Sequence, residues 1–242
     1  MGRRANNNNI EYQSFKDRAA IYAAIESGDV DLVPEYAASG LEFLNGNAGK
    51  ASADIEATMA AFSKELESND LSAATASGAV DTNSLVVTQA TADSGIVTIS
   101  DLTEELRLGG PQDCPSNASC LPALSKTYGL DLSANFVPLD LGGPLTKAAL
   151  EQGDIDVAVI FSTDATIADK DWVVLEDNKG IFNADNIVPV GTNAFITKHA
   201  TLLDKVSAKI TTENLTELNK RFDIDKDDAD VIAKDFIADN DL

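Results

Sequence analysis

Side chains that can hold a small ligand follow directly after the most apolar run of the sequence. Residues 157–161 are all apolar, which is typical of a strand that is covered on both faces. Ser162, Thr163 and Asp164 come next and bring two hydroxyl groups and a carboxylate. Because open α/β sheets bind ligands at the carboxyl ends of their strands, this position predicts a ligand site.

The only two cysteines, Cys114 and Cys120, stand at the two ends of the segment CPSNASC and allow two interpretations. One is a disulfide that closes a small loop, and the other is a metal-binding or redox pair. The spacing differs from CxxC, and the sequence contains no second cysteine pair or histidine cluster that would complete a zinc site.

Signals for catalysis and for cofactors are weak. His199 is the only histidine, and no Ser-His-Asp arrangement is visible around it. Residues 223–227 begin like a calcium loop, but Asp228 and Lys234 stand where an EF-hand has its glycine and its glutamate. The GGP at residues 142–144 lacks the spacing and the lysine of a phosphate-binding loop. We therefore predict no enzyme activity, no metal and no cofactor.

Two helix–turn–strand units position the polar residues. In residues 141–164, Pro144 opens a short helix, Gly153 ends it, and the apolar strand follows. Residues 23–32 repeat this pattern with Gly28 at the helix end, and PEYAAS at residues 34–39 again brings polar and aromatic side chains to a strand end. The two units predict two α/β lobes with a ligand between them. The alternative is that the pattern is common to α/β proteins in general.

Length and charge limit the class of protein. A chain of 242 residues can form one large domain or two modest ones. The 40 acidic and 18 basic residues give a net charge of −22, which argues against binding to nucleic acid or to an anionic membrane surface. No segment reaches the roughly 18 apolar residues that would span a bilayer, and Met1 to Arg4 are not followed by the hydrophobic region of a signal peptide.

Periodicity and turn residues predict the other elements. Strands are expected at residues 10–15, 84–88, 106–108, 135–139, 172–175, 187–190 and 194–196. Helices are expected at residues 16–27, 53–67, 121–128, 202–210, 213–222 and 229–238. Residues 1–9 are predicted to be disordered and residues 70–82 to be irregular.

A series of motifs, in order along the chain, resembles the substrate-binding proteins of osmoprotectant ABC importers, which are receptors for glycine betaine, choline, carnitine and related quaternary amines. These motifs are GDVDLVPEYAASGL, DTNSLVVT followed by TISDL, LPALSKTYGL, GDIDVAVIFSTD, VVLEDNKGIF, NIVP and LTELNKRFDID. The resemblance implies an α/β, two-lobed, type II periplasmic-binding-protein-like fold of the Venus flytrap kind. Lobe one is expected at residues 1–82 plus 188–242, and lobe two at residues 83–187.

The resemblance also implies the partners of the protein. They are a small-molecule solute and the ABC permease subunits in the membrane, and the receptor is expected to be extracytoplasmic. Some members of the family carry a matching C-x5-C, which favours the disulfide between Cys114 and Cys120. Three alternatives stay open: the effector domain of a transcription regulator, an enzyme on a related scaffold, and a receptor homologue whose ligand binding is altered or lost.

The family's binding positions are only partly kept. In the family, aromatic rings surround the quaternary ammonium. Tyr36 and Phe161 match two of these rings, whereas Asn83 and Asp185 stand where betaine-binding members have tyrosines. The full set of predicted ligand-binding residues is Tyr36, Ser39, Asn83, Asn117, Phe161, Ser162, Thr163 and Asp185.

Other departures concern the ligand's charge and the start of the chain. Ser39 matches a threonine that helps to hold the ligand, and Asn117 stands where many members have an arginine that pairs with the ligand's carboxylate. The family's opening strand and helix, with their lysine-containing loop, have no counterpart, so the first βα unit of lobe one is expected to be missing. We therefore expect weak glycine betaine binding, and better binding of a ligand whose ammonium or hydroxyl groups form hydrogen bonds.

Overall fold

The computed structural model describes residues 11–117 and 119–242. The predicted disorder of residues 1–9 therefore lies outside the described residues, as does Ile10. Residues 11–15 form no helix or strand, and Tyr12 is 71% exposed. The strand predicted at residues 10–15 is thus wrong for its described part, because this segment has no neighbouring strand and does not pack into the core.

The described residues form ten α-helices and eight β-strands. They are α1 (Arg18–Ser27), β1 (Leu32–Tyr36), α2 (Ala37–Leu44), α3 (Ile55–Glu67), β2 (Leu71–Ala73), β3 (Asn83–Val87), α4 (Gln89–Asp93), β4 (Leu108–Pro111), α5 (Leu121–Ala123), β5 (Phe136–Leu139), α6 (Pro144–Gln152), β6 (Val157–Phe161), α7 (Ala165–Asp169), β7 (Val173–Val174), β8 (Ile187–Thr192), α8 (Asn193–Ser207), α9 (Thr212–Asp223) and α10 (Ala229–Asp239). A π-helical turn, Leu124–Tyr128, continues α5.

The strands form two sheets. The three-stranded sheet has the order β1-β8-β2, and both of its pairs are antiparallel. The five-stranded sheet has the order β5-β4-β6-β3-β7, in which β4 runs parallel to β5 and β6, and β3 runs antiparallel to β6 and β7. The strand β2 lies in the segment that was predicted to be irregular. None of the described helices is long and apolar enough to cross a membrane.

The two predicted helix–turn–strand units are confirmed, and their turns share one geometry. Gly28 and Gly153 both adopt the left-handed conformation, with φ of 79° and 74°, which favours glycine at a helix end. The amide of Asp29 donates to Ala24 O, and the amide of Asp154 donates to Ala149 O, each at 2.9 Å. The same local hydrogen bonds therefore form the turns that precede β1 and β6.

Each sheet has its own hydrophobic core. In β3 and β6, successive side chains alternate between two clusters, because neighbouring strand residues point to opposite faces. One cluster contains Leu85, Val87, Val157, Val159, Leu124 and both cysteines, and the other contains Val86, Ala158, Ile160 and Trp172. The three-stranded sheet packs on Tyr22, Ile25, Leu41, Phe62 and Leu66. The apolar run at residues 157–161 is thus covered on both faces, as its sequence predicts.

The chain passes between the sheets through two adjacent segments, which we call the crossover: residues 80–82 and residues 184–186. Val80 and Asn186 form an antiparallel bridge, and the amide of Asp81 donates to Asp185 O at 3.0 Å. The three-stranded sheet takes its strands from the segments assigned to lobe one, apart from the start of β8 at Ile187, and the five-stranded sheet from those assigned to lobe two. The exact lobe boundaries remain a prediction.

The C-terminal helices pack onto the three-stranded sheet and onto helix α7. The predicted strand at residues 194–196 is wrong, because the Thr192 hydroxyl accepts from the Phe195 amide and begins α8 there. Helix α8 packs on β8 and β2, whereas α9 packs on α7. The Asn219 side chain in α9 donates to Thr163 O at 2.8 Å, which ties the C-terminal segment to the end of β6.

Candidate functional site

The ends of three strands meet at the crossover. Tyr36 ends β1 and is followed at once by α2, while Phe161 ends β6. Asn83 begins β3 and lies opposite Phe161 in the strand register. We call the group formed by Tyr36, Asp81, Phe161, Thr163 and Asp185 the crossover cleft. The strand ends predicted to bind a ligand are therefore brought to one place in the molecule.

Asp185 binds the first turn of helix α2. The Ser39 amide donates to Asp185 Oδ1 at 2.7 Å, and the Ser39 hydroxyl donates to Oδ2 at 2.8 Å. Burial raises the pKa of the Asp185 carboxyl above its ordinary value of 3.8, although the Ser39 bonds and the positive charge of Arg18 act in the opposite direction. Two predicted ligand residues, 146 positions apart, are thus partners of each other.

Asp81 is a residue of the crossover cleft that the sequence analysis missed. The Thr163 hydroxyl donates to Asp81 Oδ1 at 2.7 Å and so links the crossover to the end of β6. Burial is the main reason that the pKa of the Tyr36 phenol is raised, followed by the charge of the neighbouring Asp81 carboxylate and a hydrogen bond to it. Asp81 precedes the apolar run of β3 by only a few residues. A polar residue just before an apolar strand was the sequence feature that could have indicated Asp81 as a site residue.

Glu35 and Arg18 form a second pair that the sequence analysis missed. The Glu35 side chain is 5% exposed, and Arg18 approaches it with Nε at 3.0 Å and Nη2 at 3.1 Å. The Tyr36 amide also donates to Glu35 Oε1 at 2.8 Å. This forked ion pair fixes the backbone that carries the Tyr36 ring.

Ser162 is buried and forms its hydrogen bonds within the chain. Its hydroxyl donates to Val80 O at 2.7 Å and accepts from the Thr82 amide at 3.0 Å. Its own amide donates to Thr82 O at 2.9 Å. These contacts join β6 to the crossover, which makes Ser162 a structural link between the two sheets.

Asn117 lies in the loop that the disulfide closes. Cys114 and Cys120 are bonded, so the predicted disulfide is confirmed. The Asn117 amide group donates to Asp113 Oδ2 at 3.3 Å, and its oxygen accepts from the Ser119 amide at 3.0 Å. Asn117 and Asn83 line the same narrow space, so these two predicted residues are neighbours.

Seven of the eight predicted residues are spread over four cavities. A cavity of about 500 Å³ contains Asp81, Phe161 and Thr163. A cavity of about 240 Å³ contains Ser39 and Asp185, and one of about 580 Å³ contains Asn83 and Ser162. Phe161 lines the first of these cavities and is 42% exposed.

Acidic groups dominate the charge of these cavities. Lys147 Nζ lies 2.7 Å from Asp164 Oδ2, so the lysine that lines the 500 Å³ cavity is paired within it. Asp81 and Asp223 line the same cavity. Among residues 11–117 and 119–242, no three His, Cys, Asp or Glu side chains converge to hold a metal ion. The arrangement therefore suits an organic cation held by rings and carboxylates.

Comparisons with known proteins agree with this architecture. The glycine betaine-binding protein YehZ of Escherichia coli is 26% identical over 232 residues, covering 90% of this chain and 76% of that protein. The carnitine transport binding protein OpuCC of Listeria monocytogenes is 30% identical over 121 residues, but the match covers only 49% of this chain and 38% of that protein.

A solved structure extends the comparison to the whole fold. The crystal structure of a glycine betaine/carnitine/choline ABC transporter has a TM-score of 0.82 at 27% identity, covering 93% of this chain and 84% of that chain. This likeness confirms the predicted periplasmic-binding-protein-like α/β fold. Residues 4–239 of 242 match the family described as "Substrate binding domain of ABC-type glycine betaine transport system". The chain therefore belongs to the family of substrate-binding domains of ABC-type glycine betaine transport systems.

Proposed function

We propose that this chain is an extracytoplasmic receptor that binds a small organic solute and delivers it to the permease subunits of an ABC importer. The observation that carries the proposal is the crossover cleft, where side chains from both sheets meet beside cavities of about 240 to 580 Å³. Clefts of this size hold small ligands. The names of the relatives, which refer to glycine betaine and carnitine, support a quaternary-amine-type or related solute.

The mechanism that we propose needs no chemistry on the solute. The two sheets are joined by the two segments of the crossover, so a solute that contacts both sides favours the closed arrangement over the open one. Permease subunits then recognise the closed form. The resident disulfide supports an extracytoplasmic location, because such bonds persist in oxidising compartments.

Tyr36 and Phe161 are the residues that we propose to contact the ammonium group of the solute. A cation over an aromatic face gains about 0.5 to 2 kcal/mol, and the larger value applies where water is excluded. The Tyr36 ring is half-buried at the end of β1, whereas Phe161 is the more accessible ring. Asn83, opposite Phe161, is expected to supply polar contacts beside the rings.

The proposal is tested by thermal shift and isothermal titration against choline, carnitine, glycine betaine, amino alcohols and polyamines. We expect at least one of these solutes to raise the melting temperature in a concentration-dependent way. Phe161→Ala is expected to weaken that solute's binding by about twofold to thirtyfold. Phe222→Ala, at a 54% exposed position on α9, is the matched control and should leave binding unchanged. No response to any solute would refute the receptor function.

A further inference from the structure

The cations that line the crossover cleft and its cavities are already paired with acids. Among the described residues these cations are Arg18, which is held by Glu35, and Lys147, which is held by Asp164. The charge of each side chain is therefore already neutralised by a carboxylate of the protein, which weakens its attraction for a ligand's carboxylate. This pairing disfavours zwitterionic solutes, which carry a carboxylate, relative to simple cations.

The carboxylates of the crossover cleft, in contrast, lie near the Tyr36 phenol. The charges of Asp81 and Asp185 both raise the pKa of this phenol. The backbones of these two residues are directly bonded, since the Asp81 amide donates to Asp185 O at 3.0 Å. Asp81 also lines the 500 Å³ cavity together with the exposed Phe161.

A carboxylate and a ring favour different cations. A ring face attracts an ammonium whether or not it is methylated. A desolvated carboxylate is best satisfied by N–H donors, which a fully methylated ammonium lacks. A fully methylated ligand against Asp81 would therefore exclude water from that carboxylate and donate no hydrogen bond in return.

We infer that the crossover cleft selects a small organic cation that carries N–H donors and no carboxylate, such as a protonated amino alcohol or diamine. This inference rests on the proposed receptor function and specifies its substrate class. Tyr36 and Phe161 take the body of the cation, Asp81 accepts its N–H groups, and Asp185 adds negative charge near the Tyr36 phenol. Ser39 keeps Asp185 oriented by filling the positions on the α2 side of that carboxylate.

Four compounds test the inference as two crossed comparisons: ethanolamine, choline, glycine and glycine betaine. Ethanolamine and choline differ in N-methylation, as do glycine and glycine betaine. Ethanolamine and glycine differ in the carboxylate. By isothermal titration, we expect the affinity for ethanolamine to be at least about tenfold higher than the affinity for choline, and at least about tenfold higher than that for glycine.

Asp81→Asn identifies the residue responsible, because it keeps the shape of the side chain and an acceptor for Thr163. We expect it to weaken ethanolamine binding about tenfold and to leave choline binding within twofold. Glu67→Gln, an exposed position at the end of α3, is the charge-matched control and should change neither. A melting curve without ligand checks that each variant is folded.

Two outcomes would overturn the inference. If glycine betaine or choline binds more tightly than ethanolamine, the inference is wrong while the receptor function stands. If none of the four compounds binds, the inference is also wrong, and the broader solute panel decides the receptor function separately.

Discussion

Removal of the Ser39 hydroxyl tests the link between helix α2 and the crossover. This hydroxyl donates to Asp185 Oδ2 at 2.8 Å in a part-buried position, and a hydrogen bond to a charged group contributes about 1.5 to 3 kcal/mol. Ser39→Ala leaves the carboxylate with the Ser39 amide as its donor on that side. We expect the free energy of unfolding to fall by about 2 kcal/mol, and the melting temperature by about 4 to 8 °C for a chain of this size.

A double-mutant cycle measures the same contact without other effects of the substitution. Urea unfolding of Ser39→Ala, Asp185→Ala and the double variant should give a coupling energy of about 1 to 2 kcal/mol. Asp185→Asn should cost less than Asp185→Ala, because the amide oxygen still accepts from Ser39. Ser68→Ala removes an exposed hydroxyl bonded to a backbone carbonyl and serves as the control, with a change within about 0.5 kcal/mol. A coupling energy near zero would refute this reasoning.

Three further predictions use the same unfolding measurements. The melting temperature should rise from low salt to about 1 M NaCl, because salt screens the repulsion of a net charge of −22, and a flat or falling curve would contradict this. Reduction of Cys114–Cys120 should lower the free energy of unfolding by about 2 kcal/mol by the loop-entropy argument, and an unchanged value after verified reduction would contradict it. The pKa of Asp185 is raised in the folded state, so the folded protein binds a proton there more readily than the unfolded chain does. This group's contribution to stability should therefore increase as pH falls from neutral through that raised pKa towards 3.8. As pH falls through that window, the wild type should therefore gain stability relative to Asp185→Asn. A constant difference in stability between the two proteins would count against the assignment.

Local patterns in the sequence predicted most of the elements. Gly28 and Gly153 each end a helix, because each adopts a left-handed conformation that glycine accepts without strain. The apolar run at residues 157–161 predicted a strand covered on both faces, and both faces are covered. The short strand β2 was missed because its three residues are held by pairing with β8, far along the chain.

The partners of the site residues were not predictable from the same patterns. Arg18 and Glu35 are 17 positions apart, and Asp81 and Thr163 are 82 positions apart. Nothing in the spacing of such pairs indicates that they meet, because their contact depends on how the two sheets are joined. Asp81 was missed for this reason, although Tyr36 beside it was predicted.

The strand-end residues show why a residue's type and position indicate a site but not its role. Ser162 and Thr163 were predicted to bind a ligand, and both lie at the predicted strand end. The Ser162 hydroxyl joins β6 to the crossover, and Thr163 bonds Asp81 with its hydroxyl and α9 with its carbonyl. Thr163 therefore connects Asp81, the carboxylate that we propose to hold the solute, to β6 and to the C-terminal helices. If a solute binds there, we expect this connection to change the relative position of the two sheets.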